Sequence, residues 1–575
     1  MQRRSIPAIL EEIGALLDIE GDNPYRAHAY HNAAKILSGL DDLDAVIAQG
    51  RLREIKGIGE TLSQRIAEYV DTGRIAFHEE LKEKLPVTLL DLLQVPYLGA
   101  AKIKMLHDAL GVTNVGELEY ACRENRLVNL RGFGAKTQGR ILKGIEFFKQ
   151  HKGEFLLGEV WPVAMGLKER LGQLVYPAFV EVCGSVRRRS EIVKNIDLLA
   201  ASADWAEVSA AFTSMPEVDE VLVEAETKTS CRLVSGISAD LRVVPEASVP
   251  SALVYYTGSR GHNGRLGDLA KKQDLDLDSR GLFEKGRQIE LSSEADVYAR
   301  LGLAFVPPEL REDSGEIEAA ASMSLPKLVE ASDLKGTFHV HTDASDGTDG
   351  LEAIARAARR MGLSYVGIAD HSRSAFYAGG LKPDDVARQW EAIDRFNSSN
   401  SDFCFFKGIE SDILIDGSLD YDDETLAGFD FVVASIHSGF TMGRREMEER
   451  IIRAMRSPFT TILGHPTGRL LLARDGYQVD MDAIIDAAAE YHVAIELNAS
   501  PFRLDIDWRH LPLARQRGVL ISINPDAHAA GGLADLFYGI GTARKGWLEA
   551  GCVLNTKTAS EVREFLRRVR YEKGY

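Results

Sequence analysis

Residues 333–346 read DLKGTFHVHTDASD, and this stretch decides how the C-terminal part of the chain is interpreted. A short apolar strand carries His339 and His341 two residues apart, and alternation along a strand places both imidazoles on one face. Asp346 follows in a turn, just before Gly347. Two neighbouring imidazoles and a carboxylate suit a divalent metal ion. A solvated loop rich in histidine is the alternative, and this stretch alone does not decide between the two.

The same arrangement recurs along the remainder of the chain. Apolar runs that look like strands end on residues of metal-ligand type: YVGIADH on His371, FCFFKGIE on Glu410, FVVASIH on His437, TTILGH on His465, and VLISINPDAH on Asp526 and His528. Amphipathic helical segments such as LEAIARAARRM separate the runs. Six of the eight histidines beyond residue 330 lie at these ends. One shared metal centre explains this better than six unrelated coincidences.

Alternating strands and helices predict a parallel sheet, and about seven repeats predict a closed or distorted β/α barrel. The C-terminal ends of barrel strands form the catalytic face of such folds. We therefore expect the ligand-type residues to converge there on a metal site. Histidines mixed with carboxylates suit Zn, Mn or Fe, and the sequence does not choose among these metals.

These segments resemble the polymerase and histidinol phosphatase (PHP) family of metal-dependent phosphoesterases, over about residues 333–575. The resemblance implies a distorted (β/α)7 barrel that holds up to three Mn²⁺ or Zn²⁺ ions, with Glu410 bridging. Clustered cations lower the pKa of a bound water and hold phosphate oxygens during in-line attack. All nine ligand-type positions of the family's motifs are filled: His339, His341, Asp346, His371, Glu410, His437, His465, Asp526 and His528.

Composition limits the class of protein. The chain has 575 residues, of which 45% are hydrophobic and 27% charged, as in a globular protein of three or four domains. The five cysteines form no CxxC pair, the N-terminus does not resemble a signal peptide, and no apolar run is long enough for a membrane span. We expect a cytoplasmic protein that acts as a monomer. The net charge of −18 disfavours nucleic-acid binding over the whole surface but permits local patches.

A pattern of paired glycines before a helix occurs three times in the N-terminal part, at residues 55–59, 95–99 and 130–134. Such glycines let the backbone approach a phosphate, and the following helix N-terminus offers free N–H groups and a positive dipole end. The series resembles helix–hairpin–helix repeats, although helix-packing turns would give the same pattern. In the second copy Tyr97 replaces the usual first glycine, so we expect this copy to bind DNA least. The residues expected at the DNA backbone are Gly57, Gly59, Gly99, Gly132, Gly134 and Lys136.

Residues 179–202 read FVEVCGSVRRRSEIVKNIDLLAAS, a strand, a Gly-Ser turn, a basic run and a second strand. Carboxylates on strands beside a phosphate-binding turn suit two-metal nucleotidyl transfer. Together with the segments around ISADLRVVP and ALVYYTGSRGHN, this region resembles the palm and thumb of the family X DNA polymerases, whose bacterial members carry helix–hairpin–helix repeats in front and a PHP domain behind. The resemblance implies roles in binding catalytic Mg²⁺ or Mn²⁺ for Asp197 and Asp240, and in binding a dNTP for Ser185, Arg188, Tyr255, Tyr256, Gly258 and Asn263.

The catalytic strand departs from the family pattern. The family has Asp-x-Asp preceded by glycine, whereas this chain has Lys194-Asn195-Ile196-Asp197. An amide is a weaker ligand for Mg²⁺ than a carboxylate, and a lysine adds positive charge where cations must gather. Losing one metal ligand costs on the order of a thousandfold in rate or more. We therefore predict weak or absent polymerase activity.

We predict five segments: an N-terminal helical domain at 1–80 with the first helix–hairpin–helix motif, a fingers-like helical region at 81–152 with two more, a nucleotidyltransferase palm and thumb at 153–312, a linker at 313–332 and the PHP domain at 333–575. The favoured function is a DNA repair protein whose PHP domain acts as a metal-dependent 3′–5′ exonuclease or 3′-phosphoesterase on gapped or 3′-ended DNA. The alternatives are a dual enzyme that is also a gap-filling polymerase, a phosphatase of small phosphate esters, and a non-catalytic scaffold for DNA ends.

Overall fold

The computed structural model describes residues 6–21, 24–38, 46–47, 51–55, 57–93, 95, 98–128, 130–149, 153–174 and 179–575. Tyr97, the departure in the second glycine pattern, lies outside the described residues. The chain forms two compact units, Met1–Lys149 and Gln150–Tyr575. The finer boundaries expected from the sequence stay predictions.

The first unit is helical. Its first helix shows why: Ile9, Leu10, Ile13 and Leu17 recur at intervals of three and four residues and are buried on one face. The helices of this unit are α1 (Ile6–Glu20), α2 (Pro24–Ser38), α3 (Glu60–Thr72), α4 (Ala76–Lys84), α5 (Leu89–Leu92), α6 (Ala100–Leu110), α7 (Val115–Arg123) and α8 (Ala135–Lys149).

The palm lies at the start of the second unit and is built on a five-stranded sheet. The strand order is β2-β4-β7-β6-β5, and β4 and β7 run parallel, with Asp197 directly opposite Asp240. A separate pair, β1 and β3, is antiparallel. The elements are β1 (Phe155–Leu156), α9 (Leu157–Leu174), β2 (Phe179–Val182), α10 (Gly184–Arg187), β3 (Ile192–Val193), β4 (Asn195–Ala201), α11 (Trp205–Thr213), β5 (Val218–Ala225), β6 (Lys228–Leu233) and β7 (Ser238–Val244).

The thumb follows the palm and combines helices with a small antiparallel sheet in the order β10-β9-β8. Its elements are α12 (Val249–Thr257), α13 (Arg260–Lys271), β8 (Leu275–Asp278), β9 (Gly281–Glu284), β10 (Arg287–Gln288) and α14 (Glu294–Arg300). Helix α15 (Glu316–Ala321) lies in the stretch expected to be a linker, and Ile317 and Ala320 pack into the same apolar core as the thumb. Glu316 is buried and bonds to His262 of α13 at 2.6 Å.

The C-terminal part is a nearly closed barrel of seven parallel strands, ordered along the sheet as along the chain. Strands β14 and β16 are buried at every residue, as expected where both faces of a parallel sheet are covered. The backbone N–H of His341 donates to the carbonyl of Ala527 at 2.9 Å, which joins the first and last strand edges. The strands are β11 (Gly336–Val340), β12 (Tyr365–Ile368), β13 (Cys404–Asp412), β14 (Phe431–Ser435), β15 (Ile462–Leu463), β16 (Ala494–Asn498) and β17 (Ile521–Asn524).

Helices cover the outside of this barrel and connect its strands, so the predicted distorted (β/α)7 architecture is confirmed. These helices are α16 (Leu351–Arg360), α17 (Pro383–Ser399), α18 (Asp423–Ala427), α19 (Arg444–Arg456), α20 (Met481–Glu490), α21 (Leu511–Gln516), α22 (Leu536–Lys545) and α23 (Ala559–Glu572).

The palm packs directly against the barrel. The guanidinium of Arg189 lies between two aromatic rings, 3.7 Å from the centroid of Trp161 in α9 and 4.1 Å from that of Phe537 in α22. Arg469 of the barrel donates to Glu191 of the palm at 2.6 Å. A methyl group added at Gly158 would lie 2.5 Å from Cβ of Pro501, so the backbone of α9 lies directly against the ring of this barrel proline. The palm and barrel therefore share one packed interface.

Candidate metal centre and palm carboxylates

The nine predicted metal ligands meet at the C-terminal ends of the barrel strands. The strands bring them there in turn: β11 supplies His339 and, just beyond its end, His341, and β13 supplies Glu410. The others follow the ends of β12, β14, β15 and β17, apart from Asp346, which lies in the turn after β11. Their donor atoms form overlapping groups, His341 with Asp346, His371 and His528, His339 with His341 and Asp526, and His371 with Glu410 and His437.

Glu410 occupies the middle of this cluster. Its Oε1 lies 3.0 Å from Nε2 of His465, 3.2 Å from Nε2 of His437 and 3.3 Å from Nε2 of His339. Its Oε2 lies 2.9 Å from Nδ1 of His371. One carboxylate thus faces imidazoles from four separate strand ends, and this position suits a ligand that bridges two ions.

Asp346 and Asp526 are the other two carboxylates of the cluster. Oδ1 of Asp346 is 3.4 Å from Nε2 of His528, and Oδ2 is 3.4 Å from Nε2 of His371. Oδ1 of Asp526 is 3.1 Å from Nε2 of His341. Together with Glu410 they give the centre three carboxylates among six imidazoles.

The backbone is unusual at three of these positions. His339, His465 and Asp526 have φ angles of 55°, 20° and 51°, in the left-handed region that residues with a Cβ rarely adopt. At His339 the pairing of β11 with β12 shifts register between Thr337 and Val340. The two imidazoles of β11 nevertheless approach each other, with ring centroids 5.2 Å apart. Strained backbone of this kind clusters at functional sites, where the surrounding fold holds it in place.

The electrostatics of the cluster favour ionised carboxylates. Burial raises the pKa of Glu410, but the imidazoles of His437 and His339 outweigh it and hold that pKa well below its usual range. Burial also raises the pKa of Asp526, but the imidazole of His339 outweighs it and holds that pKa well below its usual range. These buried carboxylates are therefore anionic donors, which is the form that binds a cation.

Unsatisfied polar atoms show that these residues fit metal ions. Buried polar groups normally find hydrogen-bond partners. In the cluster, Nε2 of His341 is hydrogen-bonded to Asp526 and Nε2 of His465 to Glu410, but several other donor atoms lie close to one another without a hydrogen bond. Within the described part of the chain, the buried atoms without a hydrogen-bond partner include Nε2 of His339, Nδ1 of His341, Oδ2 of Asp346, both ring nitrogens of His371, Oε2 of Glu410 and Nδ1 of His465.

The palm carboxylates are arranged differently. The side-chain amide of Asn195 donates to Oδ1 of Asp197 at 3.0 Å and to Oδ2 of Asp240 at 3.4 Å. The ammonium of Lys228 lies 3.2 Å from Oδ1 of Asp240, and the hydroxyl of Ser230 donates to the same oxygen. Burial, followed by the charge of Asp240, raises the pKa of Asp197 to about 6. These polar groups satisfy one another.

Lys194 points elsewhere than its sequence position suggested. Its ammonium pairs with Glu154 at 3.0 Å, and its side chain is 74% exposed. The lysine that does pair with a palm carboxylate is Lys228, 34 residues further along the chain, which sequence reasoning did not single out.

Part of the predicted nucleotide-binding set lies beside the palm carboxylate Asp197. Gly184 has a φ of 61°, and a methyl group there would meet Oδ2 of Asp197 at 2.1 Å, so the turn that carries Ser185 lies against Asp197. Arg188 of this turn donates to Glu312 at 3.0 Å and to the carbonyl of Thr257 at 2.9 Å.

The remaining nucleotide-binding candidates lie at the junction of α12 and α13. The amide of Asn263 donates to the carbonyls of Tyr255 at 2.6 Å and of Gly258 at 3.3 Å. The rings of Tyr255 and Tyr256 lie edge to face at 5.3 Å, and Tyr255 is half exposed. The binding of a dNTP by these residues stays a prediction.

The predicted DNA-binding turns of the first unit have the expected form. Helices α3, α6 and α8 each begin directly after the second glycine of a pattern, at Gly59, Gly99 and Gly134. Ile58, Leu98 and Phe133 are buried beside these glycines. The glycines themselves are exposed, as are Gly57, Gly132 and Lys136. Each turn therefore anchors an apolar side chain and leaves its backbone open to a ligand.

Known protein families match the helical unit, the thumb and the barrel of this chain, in that order. The chain matches a helix-hairpin-helix domain over residues 1–75, a SAM-like helix-hairpin-helix tandem over 89–146, a DNA polymerase beta thumb over 252–312 and a PHP domain over 337–500. The DNA polymerase/3′-5′ exonuclease PolX of Bacillus subtilis strain 168 is 35% identical over 576 residues, which cover 99% of this chain and 100% of that protein. The chain belongs to the PolX family. The predicted resemblance to bacterial family X polymerases with a C-terminal PHP domain is confirmed.

Two further relatives each match only about a third of this chain. A probable phosphatase of Caldanaerobacter subterraneus subsp. tengcongensis is 28% identical over 207 residues, covering 33% of this chain and 74% of that protein. A probable phosphatase of Caldicellulosiruptor bescii is 30% identical over 208 residues, covering 33% of this chain and 78% of that protein. Among the described residues, no helix is both long and apolar enough to cross a membrane.

Sequence reasoning missed the groups that hold the imidazoles of this PolX centre. Glu496, in the middle of β16, lies 2.7 Å from Nδ1 of His339 and accepts the backbone N–H of His465 at 2.6 Å. Asp412, two residues after Glu410, bonds to Nδ1 of His437. Each carboxylate fixes the orientation of a ring whose other nitrogen faces Glu410. The available signal was a single acidic residue inside a buried apolar strand, as in AIELN.

Proposed function

We propose that this chain is a metal-dependent 3′–5′ exonuclease and 3′-phosphoesterase that acts on DNA ends through its PHP centre. The nine convergent side chains would hold Mn²⁺ or Zn²⁺, up to three ions, around Glu410. The observation that carries the proposal is this cluster of buried donors with unsatisfied lone pairs. Its place in a chain that aligns over its full length with a DNA polymerase/3′-5′ exonuclease supports DNA as the substrate.

The chain's own residues would prepare the centre for hydrolysis. Nδ1 of His339 is hydrogen-bonded to Glu496 and Nδ1 of His437 to Asp412. With a metal ion bound, each Nδ1–H would donate to its carboxylate and each Nε2, which faces Glu410, would be free to hold the ion. When bound, divalent cations lower the pKa of a coordinated water and neutralise charge on the phosphate oxygens. The barrel wall buries the ligands and keeps bulk water away from them.

We further propose that the palm contributes weak polymerase activity or none. Its two carboxylates are bonded by the amide of Asn195, and Asp240 is also paired with Lys228. Catalytic metal ions would have to displace these contacts and would gain only two carboxylates in return. The helix–hairpin–helix turns would hold the DNA backbone without reading sequence, and the palm would help to position the end.

A dual enzyme, polymerase and exonuclease together, is the second candidate. The palm sheet, the thumb match and the likeness to the DNA polymerase/3′-5′ exonuclease PolX of Bacillus subtilis favour it. A phosphatase of small phosphate esters is the third, favoured by the probable phosphatases that match part of the chain.

One experiment separates these functions. The wild type, His339→Ala and the double variant His339→Ala/Asp197→Ala are incubated with Mn²⁺ and a 5′-labelled primer on a template with a one-nucleotide gap, with and without dNTPs. We expect the wild type to shorten the primer and both variants to leave it unchanged. His510→Ala removes a barrel histidine that pairs with Asp482, not with Glu410, and serves as the control with normal activity.

Each other result has a defined meaning. Extension by His339→Ala that disappears in the double variant would establish the dual enzyme. Hydrolysis of 4-nitrophenyl phosphate without any shortening of the primer would favour the phosphatase. Undiminished shortening by His339→Ala, or in the presence of a chelator, would contradict a metal-dependent PHP nuclease.

A further inference from the structure

An exposed aromatic ring lies close to the metal centre. Phe376 begins a short 3-10 turn, residues 376–378, that follows the strand end carrying His371. Its side chain is 81% exposed. Single exposed apolar residues are common on protein surfaces, so the significance of this ring lies in its position beside the metal centre. Phe376 is neither one of the nine predicted ligands nor one of the carboxylates that support them, so the metal centre as described gives it no role.

The turn that carries Phe376 is built to hold it in one place. Ala375 and Ala378, on either side of the ring, are fully buried. The N–H of Gly380 donates to the carbonyl of Ala375 at 3.1 Å, and the N–H of Leu381 donates back to the carbonyl of His371 at 2.9 Å. The exposed ring is therefore presented by a closed, anchored loop.

Aromatic contacts lead from this ring to the metal centre. The ring of Phe376 meets that of Tyr377 edge to face, with centroids 5.9 Å apart. The ring of Tyr377 lies 6.4 Å from the imidazole of His371, which itself approaches Glu410. Phe376 is thus separated from a predicted metal ligand by a single intervening ring.

The same loop also carries positive charge. Arg373 lies between His371 and Phe376, its side chain is 52% exposed, and it pairs with Asp420 at 3.3 Å. An exposed aromatic face near a guanidinium matches the two parts of a nucleotide, a flat base and a phosphate. One aromatic ring is enough to receive one base, and a stacked base contributes about 1–3 kcal/mol.

We propose that Phe376 is a stacking site for an unpaired nucleobase at the 3′ end of the strand that enters the metal centre. This inference rests on the proposed exonuclease function and adds to it the recognition of the base. Stacking on an aromatic side chain tolerates every base, because each has a π-face. The site would favour frayed or single-stranded DNA ends over small phosphate esters, which lack a base.

The test compares two strands and a small ester. The substrates are a 5′-labelled single strand with normal nucleotides, the same strand with tetrahydrofuran abasic residues at its last two 3′ positions, and bis(4-nitrophenyl) phosphate. The proteins are the wild type, Phe376→Ala, Phe376→Trp and Tyr571→Ala. Tyr571 is a matched control, since it is equally exposed at 81% but lies in the last helix, α23.

We expect Phe376→Ala to lower kcat/KM for the normal strand by about 5- to 150-fold, the range for loss of one stacked base. Its kcat/KM for the abasic strand and for the small ester should stay within about twofold of the wild type. Phe376→Trp should retain the preference for the normal strand, and Tyr571→Ala should behave as the wild type.

Equal loss on the normal and the abasic strand, or no loss on either, would overturn the stacking site while leaving the exonuclease function standing. A wild type that hydrolyses the small ester but neither strand would overturn the proposed function and the stacking site together. The three substrates therefore separate the two failures.

Discussion

The palm and the barrel both bring acidic side chains together at the ends of neighbouring strands, but they treat the resulting charge in different ways. In the palm, Asn195 and Lys228 supply an amide and an ammonium that satisfy Asp197 and Asp240. In the barrel, buried donors around Glu410 have lone pairs that no hydrogen bond within the described residues uses. The difference teaches that carboxylates alone do not mark a metal site; what matters is whether the protein already neutralises them.

The largest effect should come from the middle of the barrel centre. Glu410→Gln keeps the size of the side chain but removes the charge that faces four imidazoles. We expect exonuclease activity to fall by about a thousandfold or more, because a metal ligand is lost. The measurement is the rate of primer shortening together with the metal content of the purified protein. Glu424→Gln, an exposed acid of the same barrel, should change neither.

The second prediction restores the missing third carboxylate of the palm. Asn195→Asp replaces the amide that bonds both palm carboxylates with a third carboxylate. In a His339→Ala background, which removes shortening, we expect gap-filling extension to rise by about a hundredfold. Primer extension with Mg²⁺ measures this, and Asn195→Ala serves as the control that loses the amide without gaining a ligand. Equal extension by proteins with Asn and with Asp at position 195 would show that the amide of Asn195 does not keep metal ions out of the palm.

The third prediction concerns the carboxylates that support the imidazoles. Glu496→Gln weakens the bond to Nδ1 of His339, which orients that ring. Losing such a partner typically lowers metal affinity by about 10- to 100-fold, so activity should recover at higher Mn²⁺ concentration. A metal titration of the exonuclease rate measures the shift. If activity stays low at every concentration, Glu496 does more than hold a ligand.

The smallest expected effect concerns the connection between the two regions. Burial raises the pKa of Glu312, but Lys545 of the barrel and Arg188 of the palm outweigh it and hold that pKa below its ordinary 4.5. A carboxylate with a depressed pKa in the folded protein stabilises it above about pH 4.5, and this stabilisation is lost as the pH falls through the depressed value. Glu312→Gln should therefore cost about 2 kcal/mol of unfolding free energy at pH 7.

Urea unfolding of the wild type and Glu312→Gln at pH 7 and pH 4 tests this. The difference in midpoint between the two proteins should narrow at the lower pH. The same variant also tests the role of Arg188, because Arg188 donates to Glu312 and would lose a charged partner. Nucleotide binding that improves in Glu312→Gln would show that the pairing restrains Arg188; unchanged stability would show that the network contributes little.

Much of the barrel cluster could be predicted because most of its ligand-type residues lie at or just beyond the ends of buried strands, although Asp346 lies further on in a turn and β16 supplies none. His437 and His465 are each the first residue of metal-ligand type after such a run, and His371 follows directly after Asp370. The sequence did not reveal Glu496, because β16 ends without a ligand and the useful residue lies inside the strand. Interior side chains of a barrel depend on register and twist, which a linear pattern does not show.

The palm shows a second limit of sequence reasoning. Lys194 is adjacent in sequence to the catalytic strand, yet its side chain pairs with Glu154 at the surface. The cation that does reach Asp240 is Lys228, which starts the neighbouring strand β6. Likewise, the partner of Arg188 is Glu312, 124 residues away. Such contacts depend on which strands and helices become neighbours, and only the folded chain determines that.

The clamp that Trp161 and Phe537 form around Arg189 bears on how one strand could visit both centres. Because the palm and the barrel are packed together there, a DNA end that is to reach both centres has to move between them itself. Duplex DNA is stiff over about 150 base pairs, whereas an unpaired end bends freely. A correctly paired terminus would then stay at the palm, and a mismatched one, which melts more easily, would reach the barrel. The stability of the terminal base pair would then decide which DNA ends the PHP centre shortens.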